Sequence, residues 1–376
     1  MNLPYRLSLK VSPDSLCIEG PGWPSREYSS MWLRDNASTN RDAVSGQRLV
    51  DVTDLPSAPK IRSARLKANV IEVRWEDQAV SSEFDLSWLN DAARPADERR
   101  PELCIHRWPN GAELDAASEF GWLDFAALAN DSTEKLSWLT RLGQAGMAFI
   151  RGVPTTDEGI LEAVRHVGRV CETNYGLVFD VRSVPQPQNL AYSDLGLGLH
   201  TDNPYREPVP GFQALHALMV SPDGGESLFA DGFALAEHLR SSQPDDFARL
   251  SSTAVPFRYR SKDADLYAER PLIQLRCDGQ VSAVHYNNRS IAPLAAADLR
   301  TEAFYAAYRR FAELLKQSSF QMRYRLKAGE LVLFDNQRIL HGRTAFTSAR
   351  HPRHLRGCYL TRDSVYSETA LLRTRL

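Results

Sequence analysis

The sequence predicts a mainly β protein with covering helices: a double-stranded β-helix, or jelly roll, as the larger domain, with a small β-rich N-terminal domain ahead of it. Short β-like runs recur through the second half of the chain with only a few helical periods among them. Many brief strands of that kind close into layered or barrel-like architectures. The first part of the chain carries alternating stretches separated by turn chemistry, and a charged, Pro-containing segment follows it.

In the small domain, residues 1–95, the stretch from Leu66 to Trp75 alternates with the period of a half-buried strand. Residues 96–120 open with Ala96-Asp97-Glu98-Arg99-Arg100-Pro101 and read as an exposed linker. The large domain, 121–376, begins with a helix that runs to about Leu142 and is capped by Asp131 or Ser132. Gly146 to Val153 reads as a buried strand ending at Pro154, and Ile160, Leu161, Val164 and Val167 mark one face of a second helix. From Cys171 to Leu199 the chain is rich in Gly, Pro and Asn without a clear period, the composition of an active-site lid. Strands are expected at Phe212 to Val220, Ser227 to Ala230, Val255 to Tyr259, Leu272 to Arg276 and Val281 to Tyr286. Others are expected at Phe320 to Leu326, Glu330 to Phe334 and Leu355 to Leu360, after a helix carrying Phe304, Tyr308, Phe311 and Leu315 at core spacing.

Composition narrows the function. The net charge is −2, and the 45 basic and 47 acidic residues are mixed along the chain. That leaves no electrostatic footprint for nucleic acid or an anionic membrane. No apolar run approaches bilayer length and the first residues lack an apolar signal core, so a cytoplasmic protein is expected. Five scattered cysteines without Cys-x-x-Cys spacing argue against a disulfide framework and a thiolate zinc site.

The most informative motif is His200-Thr201-Asp202, followed far downstream by His341 within Asp335 to Arg343. Two imidazoles and one carboxylate on one face of an octahedral Fe(II) leave three positions free for a co-substrate and O₂. Arg353 follows about one strand's length later, and its planar fork suits the far carboxylate of a keto-acid such as 2-oxoglutarate. A lone His-x-Asp is usually a surface or capping pair. In this order and spacing, the set reads as a mononuclear non-heme iron oxygenase.

Over nearly its whole length the chain resembles γ-butyrobetaine hydroxylase and its relatives, Fe(II)/2-oxoglutarate dioxygenases that hydroxylate small trimethylammonium compounds. The resemblance rests on Met31-Trp32-Leu33-Arg34-Asp35-Asn36 in the small domain. In the large domain it rests on Asn174-Tyr175-Gly176, Asn189-Leu190-Ala191-Tyr192, His200-Thr201-Asp202, Gly224-Gly225-Glu226-Ser227, Asp231-Gly232-Phe233, Asp335 to Arg343 and Arg353-His354-Leu355. It implies iron ligation by His200, Asp202 and His341, and Arg353 on 2-oxoglutarate. It also implies a quaternary-ammonium cage of Tyr175, Phe179, Tyr192 and Tyr359, three of them in or beside the lid. Ring faces suit a cation that has no N–H to donate. Arg343 is expected to be structural or to orient the ligands, and a homodimer is expected from the likeness alone.

The chain departs from that pattern twice. Relatives commonly hold zinc in the small domain through three Cys and a His. Here the Cys positions are Ala37, Thr39 and Asp42, with Gln78 and Ala79 near the His position, so no zinc is expected. At the substrate's anionic end the expected contacts are Asn189 and Asn287 or Asn288, joined by Asn203 and Arg289. Period-two alternation would aim Arg289 with Asn287 into the barrel; the other reading is a strand-end residue pointing to water. An added Arg favours 2-(trimethylammonio)ethylphosphonate, hydroxylated next to phosphorus, over the alternative of γ-butyrobetaine hydroxylation to carnitine. Trimethyllysine and other betaines stay open, and Asp194 beside Tyr192 is a candidate counter-charge to the ammonium. Two rivals remain: a non-catalytic betaine-binding jelly roll, which would need neither the triad nor Arg353, and a zinc hydrolase, which would need a positioned base.

Overall fold

The computed structural model describes residues 7–94, 100–108, 110–182, 195–221, 224–294, 299–346 and 353–376. It divides into two compact units, Met1–Arg99 and Arg100–Leu376. No helix among the described residues is long and apolar enough to cross a membrane.

The first unit holds two three-stranded antiparallel sheets. One is β1 (Ser8–Val11), β2 (Ser15–Gly20) and β3 (Trp23–Ser29); the other is β4 (Ile61–Lys67), β5 (Val70–Trp75) and β6 (Ser82–Asp85). Alternate residues Leu16 and Ile18, with Ile71, Val73, Trp75 and Leu33, are buried together as its core. The indole N–H of Trp75 donates to Ser82 Oγ at 2.9 Å. The segment containing Ala37, Thr39 and Asp42 is held by polar contacts. Arg48 grips Asp35 at 2.7 and 2.5 Å, and Asp42 accepts the backbone N–H groups of Val44 and Ser45.

In the second unit, β7 (Gly121–Asp124), β8 (Met147–Arg151), β9 (Val170–Cys171) and β10 (Phe179–Arg182) come first. Then come β11 (Leu197–His200), β12 (Phe212–Met219), β13 (Ser227–Asp231), β14 (Val255–Arg260), β15 (Asp265–Arg270), β16 (Ile273–Leu275) and β17 (Val281–Val284). The last are β18 (Met322–Tyr324), β19 (Leu331–Asp335), β20 (Ile339–Arg343) and β21 (His354–Leu360). The larger sheet runs β10-β21-β12-β19-β8-β7 with β9 also on β21, and the smaller runs β11-β20-β13-β18. All pairs within them are antiparallel except β7 with β8.

Period-two alternation sorts the larger sheet into two faces. Phe212, Ala214, Leu331, Leu333, Cys358 and Leu360 pack with Trp138, Leu142, Ile160, Val164 and Val365 of three covering helices. Their neighbours Leu215, Ala217, Val332, Phe334 and Leu355 pack on the opposite face with Phe229 of the smaller sheet. The helix Ser132–Ala145 is capped as expected, Asp131 accepting from the N–H groups of Thr133 and Glu134, and left-handed Gly146 ends it.

Several expectations need correction. Residues 100–120 are not an exposed linker: Glu102 is fully buried, paired with Arg100 at 3.0 Å and Arg373 at 2.8 Å, and Trp108 and Phe120 belong to the core. Charge there marked paired groups rather than solvated ones. The expected lid contains β9, β10 and β11, so Phe179 lies on a strand. The strand expected to reach Tyr286 ends at Val284, and residues 288–290 form a turn. Alternation therefore does not orient Asn287 and Arg289. The helices Gly232–Ser242 and Pro244–Ser252 were not anticipated, although Asp231 caps the first and Pro244 begins the second.

One buried ion pair ties β13 to β20. Arg338 donates to Asp231 at 3.1 and 2.8 Å and to the carbonyls of Gln144 and His106 at 2.8 and 2.7 Å. Both side chains are 1% exposed. Asp231→Ala leaves the guanidinium without its counter-charge, so a loss of about 3–5 kcal/mol is expected in urea denaturation.

His216 on β12 is fully buried, and only the Val153 backbone opposes the effect of that burial on its ring. Burial lowers its pKa to about 4. On acidification the unfolded chain therefore takes up the proton first, and stability is lost from about pH 6.5 down to about pH 4. Replacing His216 by Leu should remove about 2 kcal/mol of the stability loss between pH 7 and pH 5, measured by urea denaturation at both values.

Candidate functional site

The site begins with a strand register. In the β11–β20 ladder, His200 stands directly opposite His341, and Leu197 opposite Arg343, with a bulge between the two pairs. Facing residues in an antiparallel pair project side by side, and the bulge lets Leu197 and His200 both line the cavity. The imidazole centroids are 4.4 Å apart. Two residues beyond His200, Asp202 turns its carboxylate between the rings, Oδ1 at 3.3 Å from His200 Nε2 and Oδ2 at 3.6 Å from His341 Nε2.

The backbone of this short motif is held at Thr201 and Asp202. Asn336, fully buried after β19, accepts the Asp202 N–H at 2.7 Å and donates to the Asp202 carbonyl at 3.0 Å. The Thr201 N–H donates to the Tyr286 carbonyl at 2.7 Å, and the Asn287 amide donates to the Thr201 carbonyl at 2.9 Å. His200 Nδ1 lies 2.9 Å from the Gly198 carbonyl, which leaves Nε2 as the nitrogen facing inward.

One ligand atom from each of His200, Asp202 and His341 lies within 4.8 Å of the others, a grouping that could hold a metal ion. Burial would raise the Asp202 carboxyl; the two imidazoles and the Tyr359 hydroxyl outweigh it and hold the group well below the usual carboxylate range. Burial and the neighbouring His200 lower His341 to about 3. A neutral nitrogen donor beside an ionised oxygen donor is the protonation state a divalent cation requires. The donor set fits ferrous iron better than a structural zinc, which prefers a closed shell of four protein ligands.

A cavity of about 340 Å³ opens from this triad. Leu215, Phe229 and Leu355 give it apolar walls, and Arg353 lies at its edge. Arg353 is 7% exposed and has no hydrogen-bond or ion-pair partner among the described residues. Burial, with Arg343 beside it, lowers the guanidinium to about 10, still charged at neutral pH. Gly225, at a φ of +66°, makes room for it: a Cβ there would come within 2.9 Å of Arg353 Cδ. Arg343 lines the same cavity and donates to the Leu195 carbonyl at 3.4 Å.

An aromatic wall faces the triad. Tyr175 and Phe179 have ring centroids 6.4 Å apart, and Phe179 and Tyr359 5.2 Å. Tyr205 and Tyr259 stack at 5.3 Å and extend the wall, Tyr259 lying edge-on to Tyr175 at 5.9 Å. These two were missed in the sequence: Tyr205 lies in irregular chain after Asp202, and Tyr259 occupies an ordinary core-facing strand position. Phe179 lies over Gly357, where a Cβ would meet its ring at 2.4 Å. Tyr192, Asn189 and Asp194 lie outside the described residues.

The remaining expected contacts are placed unequally. Asn203, in left-handed backbone at a φ of +55°, accepts from the Tyr205 hydroxyl at 2.7 Å, and its buried Nδ2 has no partner among the described residues. Asn287 lines the cavity with one amide hydrogen committed to Thr201, whereas Asn288 is exposed and accepts from Tyr308 at 3.0 Å. Arg289 lines the cavity without a hydrogen-bond or ion-pair partner among the described residues. Arg258, also at the cavity, is engaged by Asp265 at 2.8 and 2.6 Å.

Residues 111–359 match the family model described as "Taurine catabolism dioxygenase TauD, TfdA family". The chain belongs to that family. It is an Fe(II)/2-oxoglutarate-dependent dioxygenase. Among its relatives, γ-butyrobetaine dioxygenase of Pseudomonas sp. (strain AK-1) is 33% identical over 352 residues, covering 92% of this chain and 90% of that one. Trimethyllysine dioxygenase, mitochondrial, of Rattus norvegicus is 27% identical over 354 residues, covering 92% and 82%. Among solved structures, AAD-2 in complex with Mn(II) and N-oxalylglycine aligns with a TM-score of 0.50 at 17% identity over 68% of this dioxygenase and 97% of that chain, a likeness of fold alone.

Asn336→Ala should release the Asp202 backbone and weaken Co(II) binding about 10–100-fold, read by absorption titration of the metal-free protein.

Proposed function

We propose that this dioxygenase hydroxylates a C–H bond of a small trimethylammonium carboxylate of the γ-butyrobetaine class. The carrying observation is one cavity with the His–Asp–His grouping on one side and five aromatic rings on another. The 33% identity to a γ-butyrobetaine dioxygenase supports the carboxylate over the phosphonate favoured from sequence. A second reading stands on Arg289, which lines the same cavity as the Asn203 amide, both without a hydrogen-bond partner among the described residues, and also suits a more highly charged anion. The two sheets around this cavity are the two layers of a double-stranded β-helix.

His200, Asp202 and His341 would hold ferrous iron, which with 2-oxoglutarate and O₂ would supply the oxidising power for C–H hydroxylation, the co-substrate being converted to succinate and CO₂. Arg353 binds the far carboxylate of 2-oxoglutarate, having no hydrogen-bond or ion-pair partner among the described residues. Tyr175, Phe179 and Tyr359 receive the ammonium, each desolvated ring contributing on the order of 1–2 kcal/mol. Arg289 and Asn203 hold the anionic end. Fixing both charged ends presents one methylene to the metal face and holds others away. The apolar walls at Leu215, Phe229 and Leu355 exclude water from that face.

Purified protein with Fe(II) and 2-oxoglutarate should release succinate on addition of γ-butyrobetaine, faster than with 2-(trimethylammonio)ethylphosphonate. Faster turnover of the phosphonate would reverse the order of the two readings. His200→Ala and Asp202→Ala should abolish release, and full activity in either would sink the metal assignment. Arg353→Met should raise the KM for 2-oxoglutarate by about 100-fold or more, as expected for loss of a bidentate charged contact.

A further inference from the structure

Tyr359 takes part in two constellations at once. Its ring, on β21, forms the aromatic wall with Phe179 at 5.2 Å and an interplanar angle of 33°. Its hydroxyl donates to Asp202 Oδ2 at 2.7 Å. No other ring of the wall hydrogen-bonds a member of the triad among the described residues: the Tyr205 hydroxyl donates to Asn203, and that of Tyr175 faces Tyr205 at 3.3 Å.

The placement is rigid. Tyr359 is 4% exposed and is flanked in the sheet by Gln213 of β12 and Cys171 of β9. The main chain of Asp202 is fixed from the other side by Asn336. Only the carboxylate torsion is left to be set. A donor on Oδ2 makes the two oxygens inequivalent, with one occupied as an acceptor and Oδ1 left open beside His200 Nε2 at 3.3 Å. A carboxylate held in this way offers one oxygen to a cation and consumes one coordination position instead of two.

We propose that Tyr359 is a positioning residue that transmits occupancy of the aromatic wall to the metal. A quaternary ammonium ion against its ring makes the hydroxyl a stronger donor, and that hydrogen bond sets which Asp202 oxygen is left for the metal. The inference rests on the proposed metal site but not on the identity of the substrate's anionic end. It makes the metal's surroundings depend on whether the pocket is filled, through one side chain and one hydrogen bond. The Phe179 ring cannot do this, having no polar atom.

The test uses the full chain loaded with Co(II), whose visible absorption reports coordination geometry, and tetramethylammonium chloride as the probe. In the unaltered protein, saturating tetramethylammonium shifts the Co(II) bands. Tyr359→Phe keeps the ring and removes the hydroxyl: the shift disappears, and Co(II) affinity without the probe falls about 10–100-fold. Circular dichroism checks that the variant is folded. Should it not fold, the unaltered protein decides alone, a shift supporting the coupling and constant bands overturning it. A folded Tyr359→Phe protein with native Co(II) affinity and a native response also overturns it. Failure of γ-butyrobetaine turnover would leave this readout intact, whereas failure to bind Co(II) at all would overturn the metal reading itself.

Discussion

Everything in the catalytic unit depends on the register between β11 and β20. A slip of one residue would turn His341 from the cavity toward the opposite layer, where Leu340 packs, and bring Gly342 into its place. Two features pin that register. The bulge before His200 absorbs the mismatch between strand period and cavity wall, and the Arg338–Asp231 pair anchors β20 where it begins. The metal grouping is therefore a product of sheet pairing first and of side-chain chemistry second.

The polar groups around the triad divide into two kinds. Some are engaged within the fold: Asn336 on the Asp202 backbone, the Asn287 amide hydrogen on the Thr201 carbonyl, Arg338 on the Asp231 carboxylate. Others have no hydrogen-bond or ion-pair partner among the described residues: the buried Arg353 and Asn203 amide, and the exposed Arg289 at the cavity. Buried polar groups are normally hydrogen-bonded. A set of unpartnered donors around one cavity marks the places where a bound anion would complete the structure.

Much of this was legible in the sequence, and the failures share a cause. Local signals found the helix capped by Asp131 and strands such as β12 and β21, because alternation and capping act between near neighbours. The His-x-Asp and the distant His were legible because the chemistry of ligation restricts residue types severely. Positions decided by tertiary closure were not. Tyr205 and Tyr259 became wall residues only when irregular chain after Asp202 met β14. Arg289 reached the cavity through a turn rather than through the alternation expected of it. Glu102 and Arg100 looked solvated because a sequence does not display Arg373 beside them.

Gly357 contributes no side chain, yet it sets the depth at which Phe179 can lie. The width of the aromatic chamber is governed from behind, by the missing atoms of the sheet beneath the ring. Any side chain at 357 would displace that ring, and a catalogue of contact residues would pass over the position that calibrates them.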